Sequence, residues 1–471
     1  MVFSSLIFLC GFLPVCLALY YGIRNRTYRN WLLIIASLLF YAWGEPAWTL
    51  LLILSAFFSY FGALLVDKYR DSIKGKIALT VSVEVILLIL VSLKYSGFLV
   101  KSVNSMLGTN FQVADFGLPA GISFYTFKMI SYIVDVYKGE AKAQKSPFKL
   151  LLYVSLFHQV MAGPITRYKD ISEAIDDRVE IPEDFNTGVS RFIVGLGKKV
   201  ILAGSAGKIV EIFMDGDYER LPLLGAWFGI LMYALQLYFD FSGYSDMAIG
   251  LGRMFGFKYK ENFDYPYISK SATEFWRRWH ISLGSFFRDY VYIPLGGNRR
   301  HRIRNLFIVW ALTGLWHGAN WNFVIWGLYY FVILVIEKAF MLKILEKIPG
   351  IISRIYLWVA VLVGWVFFSH NDIGQAVRFL GIMFGPAARS ISSPELVIYF
   401  RNSVVFLVIS LIGCTPIAAG ILNILTGKRD GGKAEIFIDK YARPAFNIAV
   451  LVLSVIFLIG QSYSPFMYFK F

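Results

Sequence analysis

The chain has 471 residues, of which 57% are hydrophobic and only 16% charged, with a mean hydropathy of +0.59. Soluble domains carry roughly 25% charged residues, so the composition excludes an ordinary soluble domain and points to a polytopic protein in the lipid bilayer. The formal net charge of +15 implies no nucleic-acid partner, because Lys and Arg fall in short loops between apolar runs, as the positive-inside rule asks of cytoplasmic loops.

Val2–Gly22 lacks a basic n-region and a small-residue cleavage site, and reads as a retained first span rather than a signal peptide. A loop with Arg24, Arg26 and Arg29 follows, then Trp31–Trp43, the turn Gly44-Glu45-Pro46, and Ala47–Val66. The next loop holds Lys68, Arg70, Lys74 and Lys76. Two basic loops around a nearly neutral one place the N-terminus outside and both basic loops in the cytoplasm. Ile77–Val100 crosses with Glu84 well inside it, Lys101–Phe116 is expected as an outer loop, and Leu118–Val136 returns to the basic segment Lys138–Lys149.

Leu151–Met161 is apolar but shorter than the roughly 20 residues a span needs, so it reads as a re-entrant or interfacial piece carrying His158. Asp170–Glu183 is acidic and expected at the surface, and Val189–Ala206 is interrupted by Lys198 and Lys199. Leu221–Phe239 reads as a span running into the polar run Asp240–Asp246, with a separate glycine-rich helix Met247–Phe257 after it. Farther on, Trp321–Ile336, Tyr356–Phe368, Val404–Leu425 and Phe446–Gln461 are spans. They alternate with a basic loop from Lys338 to Arg354 and a last one with Lys428, Arg429, Lys433, Lys440 and Arg443. The sum is an all-α fold of about ten full spans, or about 10–13 helices with the re-entrant pieces, in a single membrane-embedded domain. Its motif region lies at about 150–340. Cys10, Cys16 and Cys414 lie in apolar segments without ligand spacing, so neither a disulfide framework nor a metal site is expected.

The densest stretch runs from Phe275 to Asn320 and contains Trp279-His280, Arg288-Asp289-Tyr290, the basic run Arg299–Arg304 and Gly314-Leu315-Trp316-His317-Gly318. As one helix over Phe275–Tyr290, it puts Trp276, His280, Leu283 and Phe287 on an apolar face and Arg277 and Arg288 on another. That pattern fits a satisfied histidine on an amphipathic surface helix as well as it fits a site. If the basic run is cytoplasmic, a helix over Asn305–Trp316 is about 18 Å long and carries His317 to mid-membrane. A neutral imidazole there can take a proton from a hydroxyl, or serve as a structural donor between helices. Glu84, Asp240, Asp246, Lys198 and Lys199 are expected to pair within the membrane. No HExxH, GxSxG or P-loop pattern occurs, which leaves zinc peptidase, serine hydrolase and ATPase readings without support.

In these residues, and in Ala162–Tyr168, Asp240–Gly250, Asn262–Tyr267, Trp276–Asn298 and Leu312–Asn320, the chain resembles the membrane-bound O-acyltransferases. The likeness is to the bacterial branch of alginate O-acetylation proteins. The resemblance implies a helical fold with a thin waist where an outer funnel and an inner cavity meet. It implies His317 as the essential histidine and His280 as the second polar position. It also implies transfer of an acyl group from a cytoplasmic thioester, here acetyl-CoA, to a secreted polysaccharide or an extracytoplasmic acetyltransferase partner. On that reading His317 is the general base, and His280 orients the acyl group or polarises its carbonyl. Arg277, Arg278 and Arg167 become candidates for the donor's phosphates. Nothing marks Ser282 as an activated nucleophile. The related teichoic-acid D-alanyl transferases share both histidine motifs but take their thioester from a carrier protein. A transporter of polysaccharide precursors, with the histidines in a proton relay, would call for paired inverted repeats, and none is visible.

Overall fold

The computed structural model describes residues 1–112, 117–216, 218–417, 420 and 437–460. Among these residues every regular element is helical. Their contacts group into two compact units, residues 1–192 with 247–260, and residues 193–246 with those from 261 onward.

The first unit opens with α1 (Leu13–Gly22), α2 (Arg26–Ala42), α3 (Pro46–Lys68), α4 (Ile73–Lys94), α5 (Ser96–Leu107) and α6 (Ile122–Lys138). Side-chain caps fix two of these starts. Asn25 accepts the Tyr28 N–H at 3.0 Å, and Ser72 accepts the Gly75 N–H at 3.3 Å. Helix α5 occupies the first part, Lys101–Leu107, of the segment expected as an outer loop. After α6 come α7 (Pro147–Ser155) and α8 (Phe157–Val160), separated by a break at Leu156. The apolar piece around His158, expected to be too short to span, is thus broken in two and buried. Lys128, itself buried, donates to the carbonyls of Tyr153 and Val154 beside the break, satisfying groups that a continuous helix would have paired. His158 lies 3.1 Å from the Tyr259 hydroxyl through Nδ1, packed against Phe157 and Phe255. α9 (Tyr168–Asp177) and the start of α10 (Pro182–Gly197) follow.

Between α9 and α10, Glu180 gathers Arg26 at 2.7 Å, Arg29 at 2.8 Å and the Tyr20 hydroxyl at 2.6 Å. Burial alone would raise this carboxyl, but hydrogen bonds from Arg26 and Tyr20 and the nearby arginine charges outweigh it and hold the group at about 2, against an ordinary 4.5. A depressed carboxyl stabilises the fold while ionised, so its contribution is complete above about pH 4.5 and is lost as pH falls towards 2. Melting of detergent-purified protein should therefore drop in that window, and Glu180→Gln should flatten the drop while lowering the melting temperature at neutral pH.

In the second unit α10 passes through a π-helical turn, Lys198–Ala203, into α11 (Gly204–Met214), and α12 (Leu223–Met254) is a single helix of 32 residues. The expected interruption at Asp240–Asp246 is absent. Lys199 pairs with Asp240, and Lys198 pairs with Asp246 at 2.8 Å, so both carboxylates are neutralised without breaking the backbone. Gly243 sits where a Cβ would come within 2.6 Å of the Gly195 carbonyl oxygen, so the α10 backbone packs directly against α12. Next come α13 (Ala272–Arg278), α14 (Ile281–Phe287), α15 (Arg302–His317), α16 (Trp321–Ile336), α17 (Leu342–Leu345), α18 (Gly350–Ser369), α19 (Ile373–Met383), α20 (Pro394–Gly413) and α21 (Arg443–Gly460).

Seven described helices are long and apolar enough to cross a membrane: Pro46–Lys68, Ile73–Lys94, Leu223–Met254, Trp321–Leu345, Gly350–Ser369, Pro394–Gly413 and Ile438–Gly460. The chain is a multi-pass membrane protein, with seven full-length spans among the described residues beside the ten or so expected of the whole sequence. α2 and α6 stop at 17 residues each, and the Leu151–Met161 piece is broken. Lys428, Arg429 and Lys433 of the last basic loop lie outside the described residues.

Candidate active site

The predicted continuous helix over Phe275–Tyr290 does not form. α13 ends at Arg278, Trp279 is extended, and His280 adopts the left-handed conformation with φ 47° before α14 begins. A non-glycine residue held there costs free energy, and such residues persist where their surroundings over-determine them. Here the determinant is Asn262, which is buried. Its carbonyl oxygen Oδ1 accepts the Ser282 N–H at 3.2 Å, the Ser282 hydroxyl at 2.8 Å and His280 Nδ1 at 3.1 Å. Its backbone oxygen accepts the Ile281 N–H at 2.9 Å, and its amide nitrogen donates to Ser245 at 3.2 Å. The α13 start is fixed from the other side by Glu337. Its carboxylate accepts the N–H groups of Ala272 at 2.6 Å and Thr273 at 2.7 Å, together with the Thr273 hydroxyl at 2.6 Å.

This network sets the His280 tautomer. A backbone N–H can only donate, so the Asn262 atom facing Ser282 is the oxygen, and the His280 Nδ1 facing the same atom carries a proton. In the neutral imidazole the lone pair is then on Nε2, which is buried and has no hydrogen-bond partner among the described residues. Such a nitrogen can accept a hydrogen bond. Polarising a carbonyl from it would require the imidazolium. Asn262 is thus a positioning residue. Asn262→Ala should lower kcat on the order of a hundredfold with KM less affected, whereas Asn262→Asp, which can accept the same donors, should recover most of the loss. Equal KM and kcat effects, or no rescue, would make its role merely structural.

His317 is the last residue of α15 and is buried. The rings of Trp326 at 4.8 Å, Trp316 at 4.9 Å and Phe368 at 5.1 Å stand nearly perpendicular to the imidazole. Trp316 also lies 5.6 Å from the His280 ring, and Phe241 meets His280 at 4.7 Å. Both histidines line one cavity of about 210 Å³, with Trp276, Trp310, Thr313, Arg288 and Lys338 among its walls. Gly314 and Gly318 bring this end of α15 into close contact with α16. A Cβ at Gly314 would lie 2.3 Å from the Phe323 carbonyl oxygen, and one at Gly318 would lie 2.2 Å from the Phe323 ring.

The arginines divide. Arg278 is held by Glu274 at 3.0 Å and Asp264 at 2.9 Å, so its guanidinium is already engaged. Arg277 is exposed and near enough for its charge, with that of Arg302, to act on Lys338. Arg167 belongs to the first unit. A second cavity, of about 520 Å³, shares Leu306 and Lys338 with the histidine cavity and is otherwise lined by His301, Arg302, Arg304 and apolar residues. Neither Arg302 nor Lys338 takes part in an ion pair among the described residues. Asn262, Glu337 and Lys338 carry no direct mark of a site in the sequence, although Asn262 opens the Asn262–Tyr267 stretch.

A sequence profile for the membrane-bound O-acyltransferase family matches residues 140–370. The probable alginate O-acetylase AlgI of Pseudomonas putida is 39% identical over the whole of both chains. The peptidoglycan O-acetyltransferase of Helicobacter pylori is 30% identical over 98% of this chain and 90% of its own. The teichoic acid D-alanyltransferase of Bacillus subtilis is 32% identical over 47% of this chain and 59% of its own. Full-length likeness at this level, together with the profile match across both histidines, settles the family: the chain belongs to the membrane-bound O-acyltransferases.

Proposed function

We propose that this O-acyltransferase moves an acetyl group from cytoplasmic acetyl-CoA to hydroxyls of a secreted or cell-surface polysaccharide, directly or through an extracytoplasmic acetyltransferase. The full-length relatives are named for O-acetylation of alginate and peptidoglycan, whereas the D-alanyl transferase matches under half of the chain. The single observation that carries the reading is one cavity lined by two buried histidines, which shares Leu306 and Lys338 with a second cavity lined by arginine and histidine. A thioester with a phosphate-rich handle fits such a pair. The acyl end needs an apolar pocket with a base, and the handle needs unpaired guanidinium and ammonium groups.

In this mechanism neutral His317 takes the proton of the acceptor hydroxyl as its oxygen attacks the thioester carbonyl carbon. The C–S bond breaks, and the thiolate leaves with the proton that His317 held, so alcohol and acetyl thioester become acetyl ester and free thiol. No protein nucleophile is required. His280 orients the reacting group by accepting a hydrogen bond at Nε2, and the aromatic walls exclude water that would hydrolyse the thioester. Arg302 and Lys338 join Arg277 as the phosphate contacts. The N-terminus lies outside in the cytoplasmic membrane, and the Arg299–Arg304 run faces the donor.

Arg302→Glu and Lys338→Glu should each raise KM for acetyl-CoA at least about tenfold with little change in kcat, since each loses a charge-assisted contact. Unchanged KM in both would sink the donor assignment, and activity only with an acylated carrier protein would favour the D-alanyl type of chemistry.

A further inference from the structure

Helix α4 presents Ile77, Val81, Glu84, Leu88 and Val91 on one exposed stripe, while Ser82, Ile86 and Leu90 are buried on its opposite side. The spacing alternates four and three residues, the period of a helix seam. Glu84 lies near the centre of this 22-residue span, about 15 Å from either end, too deep for a short carboxylate to reach the interface. It forms no ion pair or hydrogen bond among the described residues.

Helix α20 carries the same pattern with the opposite charge. Val397, Arg401, Val404, Val408 and Leu411 are all exposed, again at four-and-three spacing. Arg401 is about 10 Å along the helix from Pro394 and about 18 Å from Gly413, and it too forms no ion pair among the described residues. Arg401 thus lies within a few ångströms of the middle of its own span, as Glu84 does of its own.

We propose that these two stripes are the halves of an interface between copies of this chain, α4 of one copy packing on α20 of a second with Glu84 paired to Arg401 in the hydrocarbon layer. Ionisable groups inside a membrane pair with one another or line a water path, and these two are turned away from the protein interior. The complement that Glu84 requires is present on the chain itself, near the middle of a span as Glu84 is, and in matching seam geometry. The aliphatic neighbours supply van der Waals packing, and the ion pair supplies register. Because the two surfaces differ, the contact is heterologous, and assembly closes into a ring or continues as a row. The inference is independent of the acyl-transfer reading.

The test is energy transfer between two fluorescently labelled populations of the full-length chain in phosphatidylcholine–phosphatidylglycerol vesicles, read across protein-to-lipid ratios. Wild type should associate. Glu84→Arg alone and Arg401→Glu alone should each weaken association at least tenfold. An equimolar mixture of the two variants should regain it, because each supplies the charge that the other has reversed, which pairing within one chain cannot do. Glu84→Gln, with the helix otherwise unchanged, should give an intermediate loss. Monomeric wild type at every ratio, single variants that associate like wild type, or a mixture that fails to recover would each overturn the proposal.

Discussion

His317→Ala at wild-type membrane levels should lower acetyl transfer by about two to four orders of magnitude, the usual worth of a positioned general base. The imidazole is the buried titratable group at the end of α15, enclosed by Trp316, Trp326 and Phe368, and none of those three side chains can accept a proton from a hydroxyl. His317→Gln should fail almost as completely, because an amide fills much of the same space and can hydrogen-bond but cannot take the proton. The pair separates chemistry from packing: a glutamine variant with near-wild-type kcat would make His317 a structural donor. Acetate release on mild alkali, measured on isolated polymer, reads both variants.

Gly314→Leu should remove folded protein altogether, and Gly314→Ala should already lower the melting temperature in detergent. α15 and α16 meet backbone to backbone, with a Cβ at Gly314 falling 2.3 Å from the Phe323 carbonyl oxygen and one at Gly327 falling 2.4 Å from that of Trp310. Neither obstacle is the flexible end of a side chain, so the helices must separate. Overpacking of this kind costs about 1–3 kcal/mol or more, and separation pulls His317 away from Trp326, which α16 carries. The loss of activity should therefore track the loss of stability, unlike the His317 variants, which should melt close to wild type. A Gly314→Ala protein with unaltered melting would mean that the helices adjust at no cost.

Much of this was legible in the residues. Apolar runs and basic loops identified a multi-pass helical protein, and the interruption at Leu151–Met161 showed as an apolar stretch too short to cross. The motifs around Trp279-His280 and Trp316-His317-Gly318 marked two histidines that line one cavity. What could not be read was how polar groups are satisfied by residues distant in sequence. Asp240 and Asp246 looked like a break in a span, but Lys199 and Lys198 neutralise them and α12 runs through. His280 matched one face of a continuous helix, but Asn262 draws it into the left-handed region and ends the first helix there. Periodicity describes a helix's faces and carries no information about a partner some twenty residues away that interrupts it.

The most direct test of the account uses inverted membrane vesicles bearing wild type or His317→Ala, given acetyl-labelled acetyl-CoA on the cytoplasmic face together with the polymer-synthesising machinery. The prediction is hydroxylamine-releasable label on the polymer with wild type and almost none with His317→Ala, while polymer export continues in both. Label that persists in the variant while polymer itself is lost would contradict the catalytic assignment and favour a transporter.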